Sequence, residues 1–250
     1  MLAQRRYELI MQTLRAEGPV AVTVLGERLG VSQATVRRDL AWLEDQGLLH
    51  RVRGGAAAST SLEPSFAAVA TEAHEAKDAI GQRAAEMISD GDVLLLDIGT
   101  TVHRLAVHLR GRQVTVMTAN MAVYEELVSE PDIELILLGG VVRRNYRSLV
   151  GFLTEDAVRQ LRADTLFIGT SGVRGDGTVM DTTVVEVPVR RAMIESADRV
   201  VLLADAEKFP GNGFATVCGP DALDVVVTNV DEGDGALDSF RENGVEVVVV

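Results

Sequence analysis

Val31-Ser32-Gln33-Ala34-Thr35-Val36-Arg37-Arg38-Asp39-Leu40 decides how the first quarter of the chain folds. At about 100° per residue, Val36, Leu40 and Leu43 fall within about 60° of one another and form an apolar stripe. Arg38 lies roughly opposite that stripe and Arg37 about 100° round it, with Ala34 and Thr35 also outward. Ser32 is the predicted N-cap of this helix, which runs to Asp45 and is closed by Gly47. Working outward, Val22 to Leu29 reads as a shorter helix ended by Gly30. Gly30-Val31-Ser32 is then the turn of a helix-turn-helix. Tyr7, Ile10, Met11 and Leu14 keep the i, i+3, i+4, i+7 spacing of a first helix over about Ala3–Ala16, stopped by Glu17-Gly18-Pro19. After the third helix, Leu48 to Gly55 alternates as a short hairpin. The pattern predicts a winged helix-turn-helix over residues 1–56. Its outer surface presents Ser32, Gln33, Ala34, Thr35, Arg37 and Arg38 from the third helix and Arg51 and Arg53 from the wing, residue types suited to phosphates and base edges in a major groove. The same periodicities also suit a three-helix protein-interaction module with solvated arginines.

The residues narrow the choice. The stretch 31–40, followed by Leu43-Glu44, Gly47-Leu48 and Arg51-Val52-Arg53-Gly54-Gly55-Ala56, closely resembles the DNA-binding signature of the DeoR family of sugar-metabolism repressors. Arg53 stands where that family more often has histidine.

Charge is distributed to match. The chain of 250 residues carries a net charge of −13, which by itself disfavours a polyanionic partner. Residues 1–56 hold eight arginines against six acids, a net +2, leaving −15 on the remainder. A mildly basic head on an acidic body fits a modular binder whose head is steered to DNA. At 47% apolar and 24% charged residues the composition is that of a globular protein. Apolar runs such as Val247 to Val250 are too short to span a bilayer, and the N-terminus lacks the apolar region of a leader, so no membrane partner and a cytoplasmic location are expected. One cysteine, Cys218, excludes an internal disulfide framework. His50, His74, His103 and His108 show no metal-ligand spacing, and no metal or cofactor is expected.

Residues 57–76, rich in Ala and Ser with Pro64, read as a linker. Beyond them, candidate strands at 93–97, 114–118, 133–138, 165–169, 199–204, 224–228 and 245–250 alternate with helices at 102–109, 121–128, 154–161 and 186–196. The expected fold class is therefore α/β, the winged head followed by a layered effector and oligomerisation domain over 77–250. Ligands in such sheets bind beyond the carboxyl ends of the strands. The first such end, Asp97-Ile98-Gly99-Thr100-Thr101, offers free N–H groups, a helix dipole and two hydroxyls to an anion. Thr118-Ala119-Asn120, Gly139-Gly140 and Gly169 to Gly172 mark further ends, where missing side chains admit a ligand or another backbone.

This order resembles the effector domain of the same DeoR family, whose fold is similar to ribose-5-phosphate isomerase. The resemblance implies a small phosphorylated sugar or related metabolite as ligand, held among Lys77, Asp97, Gly99, Thr100, Thr101, Asn120, Gly139, Gly140, Gly172, Glu186, Asp205 and Lys208. Of 24 basic residues, Lys77 and Lys208 are the two lysines. A position that keeps Lys against such a skew calls for a compact ammonium rather than a planar fork. Carboxylates Asp97, Asp181, Glu186 and Asp205 could serve acid–base catalysis, but an operator-reading head is of no use to an isomerase. The sequence is expected to encode no enzyme and no catalytic residue. It reads as a regulator, a repressor of carbohydrate-metabolism genes that binds a double-stranded operator as a homo-oligomer, dimer or tetramer.

Overall fold

The computed structural model describes residues 2–45, 48–58 and 64–250. The chain divides into two compact units, Met1–Glu72 and Ala73–Val250.

In the first unit α1 (Ala3–Glu17) leads through β1 (Val20–Ala21) to α2 (Val22–Leu29), α3 (Gln33–Asp45) and the hairpin β2 (Leu49–Val52) and β3 (Gly55–Ala58). The expected stripe is the core: Val36, Leu40 and Leu43 pack with Ile10, Leu14, Leu25 and Leu29. Gly30 closes α2 in the left-handed conformation at φ 64°. The Ser32 hydroxyl accepts from the Thr35 N–H at 3.2 Å, as an N-cap does. An ion pair that periodicity does not disclose fixes α1 to α3. The Arg6 guanidinium donates through two nitrogens to the buried Asp39 carboxylate, at 2.6 and 2.8 Å. The hairpin pairs antiparallel and β1 adds to its β3 edge. A Cβ on Gly55 would stand 2.3 Å from the Val20 carbonyl oxygen, so only glycine lets the two strands meet there. Gly47, the expected helix stop, lies outside the described residues.

The linker reading of 57–76 is corrected in part. Residues 59–63 lie outside the described residues, but Ala57 and Ala58 belong to β3, and Phe66–Thr71 forms α4. Ser65 caps α4 by accepting from the Ala68 N–H at 3.2 Å. The helix buries Phe66 and Val69, an i, i+3 pair too short to stand out as a period in the sequence.

In the second unit α5 (His74–Ala85) precedes β4 (Val93–Leu96), α6 (Thr100–Val107), β5 (Thr115–Thr118), α7 (Met121–Leu127) and β6 (Glu134–Leu137). A hairpin of β7 (Val141–Arg143) and β8 (Ser148–Val150) leads to α8 (Phe152–Arg159) and β9 (Ala163–Ile168). Then come β10 (Gly172–Val173), β11 (Val179–Asp181), α9 (Val187–Glu195), β12 (Ala197–Ala204), β13 (Ala215–Cys218), β14 (Val225–Thr228), α10 (Gly235–Glu242) and β15 (Glu246–Val249). The seven expected strands form one parallel sheet in the order β15-β14-β12-β9-β4-β5-β6. Helices cover both faces. Residues of α8, α9 and α10 pack with Leu95, Leu166, Ile168 and Leu202 on one side. Those of α5, α6 and α7 pack with Leu94, Leu96, Phe167 and Leu203 on the other. This is the layered α/β architecture, with side chains alternating across the sheet.

Starting from β4, the chain builds outward through β5 and β6, then returns to β9 on the opposite flank of β4 and continues to β15. The direction of winding reverses between β4 and β9. That is the topological switch point, where diverging connections open a crevice at the strands' carboxyl ends.

Candidate functional site

In the first unit, Arg37 and Arg38 are both exposed on α3, and Arg37 donates to Gln33 Oε1 at 3.2 Å along the same helix face. Ser32, Gln33 and Ala34 are exposed at its N-terminal end and Thr35 is half-buried. In the wing Arg53 is exposed beside the tight turn at Gly54, φ 82°. Arg51 differs from expectation in being engaged: its backbone N–H and its guanidinium both donate to the Glu44 carboxylate. That pair straps β2 to α3, so Arg51 positions the wing before it can serve as a free cation.

In the second unit the site builds up from the β4–β9 switch point. Leaving β4, the chain places Asp97 at the carboxyl end of this central strand, fully buried. Its Oδ2 accepts from the Gly169 N–H, just past β9, at 3.1 Å. The Arg190 guanidinium approaches from α9 at 3.1 Å and reaches the Asp181 carboxylate with another nitrogen at 2.6 Å. Burial pushes the Asp97 carboxyl up to about 6, because removal from water costs its ionised form more than Arg190 and the Gly169 N–H return. Two residues on, Gly99 takes φ 123° and starts α6 with open space around its Cα; Thr100 and Thr101 fill the first turn. An L residue is strained at that φ, so the turn leading into α6 requires glycine.

Asn120 explains why this turn holds its shape. Its side-chain N–H₂ donates to the carbonyls of Asp97 and Gly99 at 3.3 and 3.2 Å, while its Oδ1 caps α7 through the N–H groups of Ala122 and Val123. Every hydrogen-bonding position of the amide is used, which makes Asn120 a clamp on the cradle.

The glycines divide. Gly139 is open, its carbonyl accepting from the Thr154 hydroxyl at 2.8 Å. A Cβ on Gly140 would lie 2.0 Å from Thr154 Oγ1, and one on Gly172 2.4 Å from the Asn212 carbonyl oxygen. At both, the close approach is made by the chain itself. At Gly140 and Gly172 the missing side chain is thus explained by packing of the chain on itself, which the sequence alone does not reveal.

Around the crevice, Lys77 is buried in α5, on the sheet face shared by α6. Asp205 follows β12 and is also buried. Its Oδ1 accepts from the Glu207 N–H at 3.1 Å, and its Oδ2 is buried with no hydrogen-bond partner among the described residues. Asn229 supports the same turn by accepting from the Ala206 N–H at 2.8 Å. Lys208 ends the short 3-10 turn Ala206–Lys208 and is half-buried. On the α9 side Glu186 accepts from the Ser148 hydroxyl at 2.9 Å and pairs with Arg143 of β7; burial holds its carboxyl above the usual range. Arg143, Ser148 and Arg190 escaped the sequence reading as site residues, and Asp181 entered it only as a carboxylate weighed for catalysis. Burial pushes the Cys218 thiol up to about 11, which makes it an inert packing group. Among the described residues no cluster of three or more metal-ligating side chains stands together, and no helix is long and apolar enough to cross a membrane.

Two family descriptions match the chain, a DeoR-like helix-turn-helix domain over residues 6–62 and a DeoR C-terminal sensor domain over 72–230. The glycerol-3-phosphate regulon repressor of Escherichia coli is 33% identical over 92% of each chain. The transcriptional repressor GlcR of Bacillus subtilis is 31% identical over 100% of this chain and 97% of its own. Among solved structures, ribose 5-phosphate isomerase A of Methanocaldococcus jannaschii aligns with 54% of this chain and 54% of its own, at 14% identity and a TM-score of 0.41. On the matches to both of its halves and the near full-length likeness to these repressors, the chain belongs to the DeoR family of transcriptional regulators.

Proposed function

We propose that the protein is a repressor of carbohydrate-metabolism genes, whose hold on a double-stranded operator is set by a small phosphorylated sugar or related metabolite bound at the β4–β9 switch point. The observation that carries this reading is the open Gly99 turn at the N-terminus of α6, beside a fully buried carboxylate. Free N–H groups, a helix dipole and the Thr100 and Thr101 hydroxyls suit a phosphate, with the Lys208 ammonium as counter-charge. The orphaned Asp205 Oδ2 suits a hydroxyl hydrogen of the sugar. Operator contact falls to Arg37 and Arg38, with Gln33, Ala34 and Thr35 beside them and Arg53 on the wing.

The names of the relatives support repression, and an operator-reading head supports binding without turnover. The protein acts in the cytoplasm as a homo-oligomer, because one winged head covers one half-site and paired half-sites require paired heads. Ligand and operator are coupled by differential affinity of two states of the protein.

A thermal-shift screen of sugar phosphates against their unphosphorylated counterparts tests the site. At a hundredfold excess over its dissociation constant, a bound ligand stabilises by about 2.7 kcal/mol. Stabilisation by one sugar phosphate, absent for the parent sugar and accompanied by a change in operator affinity at fixed salt, is the expected result. Conversion of that sugar phosphate into an isomer would overturn the reading in favour of an enzyme, and stabilisation by no phosphorylated compound would remove the ligand.

A further inference from the structure

From Ser32 to Arg38 the N-terminal half of α3 carries three side-chain oxygens, and each is already engaged. The Ser32 hydroxyl accepts from the Thr35 N–H at 3.2 Å, and the Ser32 and Thr35 hydroxyls bond each other at 3.0 Å. Gln33 Oε1 accepts from the Arg37 guanidinium at 3.2 Å. Ala34, Val36, Arg37 and Arg38 have no side-chain acceptor to add. The next carboxylate along the helix, Asp39, is buried and taken by Arg6. What this half of α3 offers outward is therefore donors and methyl groups. The donors are the Gln33 amide N–H₂, the remaining N–H groups of Arg37 and the exposed guanidinium of Arg38. The methyls are that of Ala34 and, with its hydroxyl turned to the cap, that of Thr35. Helical spacing gathers them into one patch, with Arg37 and Arg38 three and four positions beyond Ala34 and Arg37 four beyond Gln33.

In the major groove a base is told apart by the donors, acceptors and methyl on its edge. Guanine offers two acceptors, O6 and N7, and thymine offers the O4 acceptor beside a methyl, whereas adenine and cytosine each present an amino group that needs an acceptor from the protein. We infer that α3 reads guanine and thymine on one strand, Gln33 and Arg37 acting as a single donor unit on guanine while Ala34 and Thr35 meet thymine methyls. The inference rests on the operator reading above and gives it a base preference. A glutamine amide left to itself reads adenine, accepting from N6 while donating to N7. For Gln33 that contact would have to draw its oxygen away from a guanidinium, whereas guanine O6 and N7 meet donors that the pair already holds. Arg37 thus sets what Gln33 can recognise, as a positioning residue for its neighbour as well as a contact of its own.

Selection of duplexes from a randomised pool by the full chain, followed by fluorescence anisotropy on the selected duplex at fixed salt, tests this one atom at a time. Replacing the contacted guanine by 7-deazaguanine, which removes N7 alone, should weaken binding about 10-fold, and replacing an adjoining thymine by deoxyuridine, which removes only the methyl, about 3-fold. Substituting 7-deazaadenine in the same half-site should change nothing. Arg37→Ala then separates one unit from two independent contacts. With Gln33 Oε1 released, this variant should lose affinity for the selected duplex and gain it for the duplex whose contacted G·C pair is changed to A·T, and the gain should vanish when Gln33→Ala is added. If 7-deazaadenine weakens binding while 7-deazaguanine and deoxyuridine do not, or if Arg37→Ala lowers affinity for both duplexes equally, the inference is wrong while the operator reading stands. If the pool yields no enriched sequence and every duplex binds alike, both fall.

Discussion

Asp97→Asn is the perturbation that separates what the buried charge does for stability from what it does for function. In the folded chain Asp97 is fully buried and its pKa rises from an ordinary 3.8 to about 6, with burial outweighing the attraction of Arg190. A carboxyl whose folded pKa is raised binds its proton more tightly folded than unfolded. Its favourable contribution is therefore complete below about pH 3.8 and is lost as pH rises through about 6. At about 1.4 kcal/mol per pH unit, the ionised carboxylate costs the folded state about 3 kcal/mol at neutral pH. Asparagine keeps the acceptor for the Gly169 N–H and cannot ionise. Urea unfolding of residues 73–250 at a series of pH values, followed by far-UV circular dichroism, gives the stability of each form. The Asp97→Asn form should gain on the wild type by about 3 kcal/mol between pH 3 and pH 7, most of it between pH 4 and 6. Titrating groups remote from Asp97 cancel in the difference. A gap that stays flat, or one in which the wild type gains as pH rises, would show that the ion pair with Arg190 outweighs burial and would refute the reasoning.

Replacing Arg37 or Arg38 by Ala should weaken operator binding by about 1–3 kcal/mol where the arginine meets a base, with the melting temperature unchanged, as measured by fluorescence anisotropy at fixed salt. Equal affinity in both variants would sink the assignment of the α3 surface. Gly172→Ala drives a methyl into the Asn212 backbone and should destabilise by about 1–3 kcal/mol in urea unfolding; a neutral result would mean that this loop yields. Lys208→Ala should leave operator affinity intact and abolish its change with the sugar phosphate, and Lys208→Arg should do the same if a compact ammonium is required. A normal response from Lys208→Arg would show that either cation serves there. Arg6→Ala leaves Asp39 buried without this partner and should lower the melting temperature of the first unit, read from Trp42 fluorescence; an unchanged melting temperature would show that the pair does not hold α1 to α3.

The head was legible because its information is local. Spacing alone places Val36, Leu40 and Leu43 in the core and Arg37 and Arg38 outside it, and Gly30 and Ser32 mark the ends of adjoining helices. The seven central strands were legible for a related reason: buried on both faces, they read as unbroken apolar runs such as Val225-Val226-Val227. Short elements were lost. The strands β7, β8, β10, β11 and β13 have two to four residues each, too few for a period. Contacts between distant segments were lost too. Nothing near Asp97 in sequence announces Arg190, 93 positions on, and nothing at Arg6 announces Asp39. Glycine could be read only as a missing side chain. At Gly99 the space is open and the turn is strained for other residues, whereas at Gly140 and Gly172 another part of the chain fills it.

The same distinction bears on why the sheet keeps a charge that weakens it. A buried ion pair that contributes little to stability, or lowers it, persists where its charge has another use. Asp97 stands between two sets of side chains. Its backbone carbonyl helps Asn120 hold the Gly99 turn, on the side of α6 and α7. Its carboxylate faces Arg190, which also pairs with Asp181 and lies one turn from Glu186 and its clasp on β7. A neutral residue could satisfy the Gly169 N–H and the backbone contacts. Only an ionised one brings charge to Arg190, and under the proposed function an anion bound at the α6 N-terminus would act on that charge by repulsion, with α9 next in line through Arg190. The carboxylate is thus better explained by the crevice it borders than by the core it is buried in.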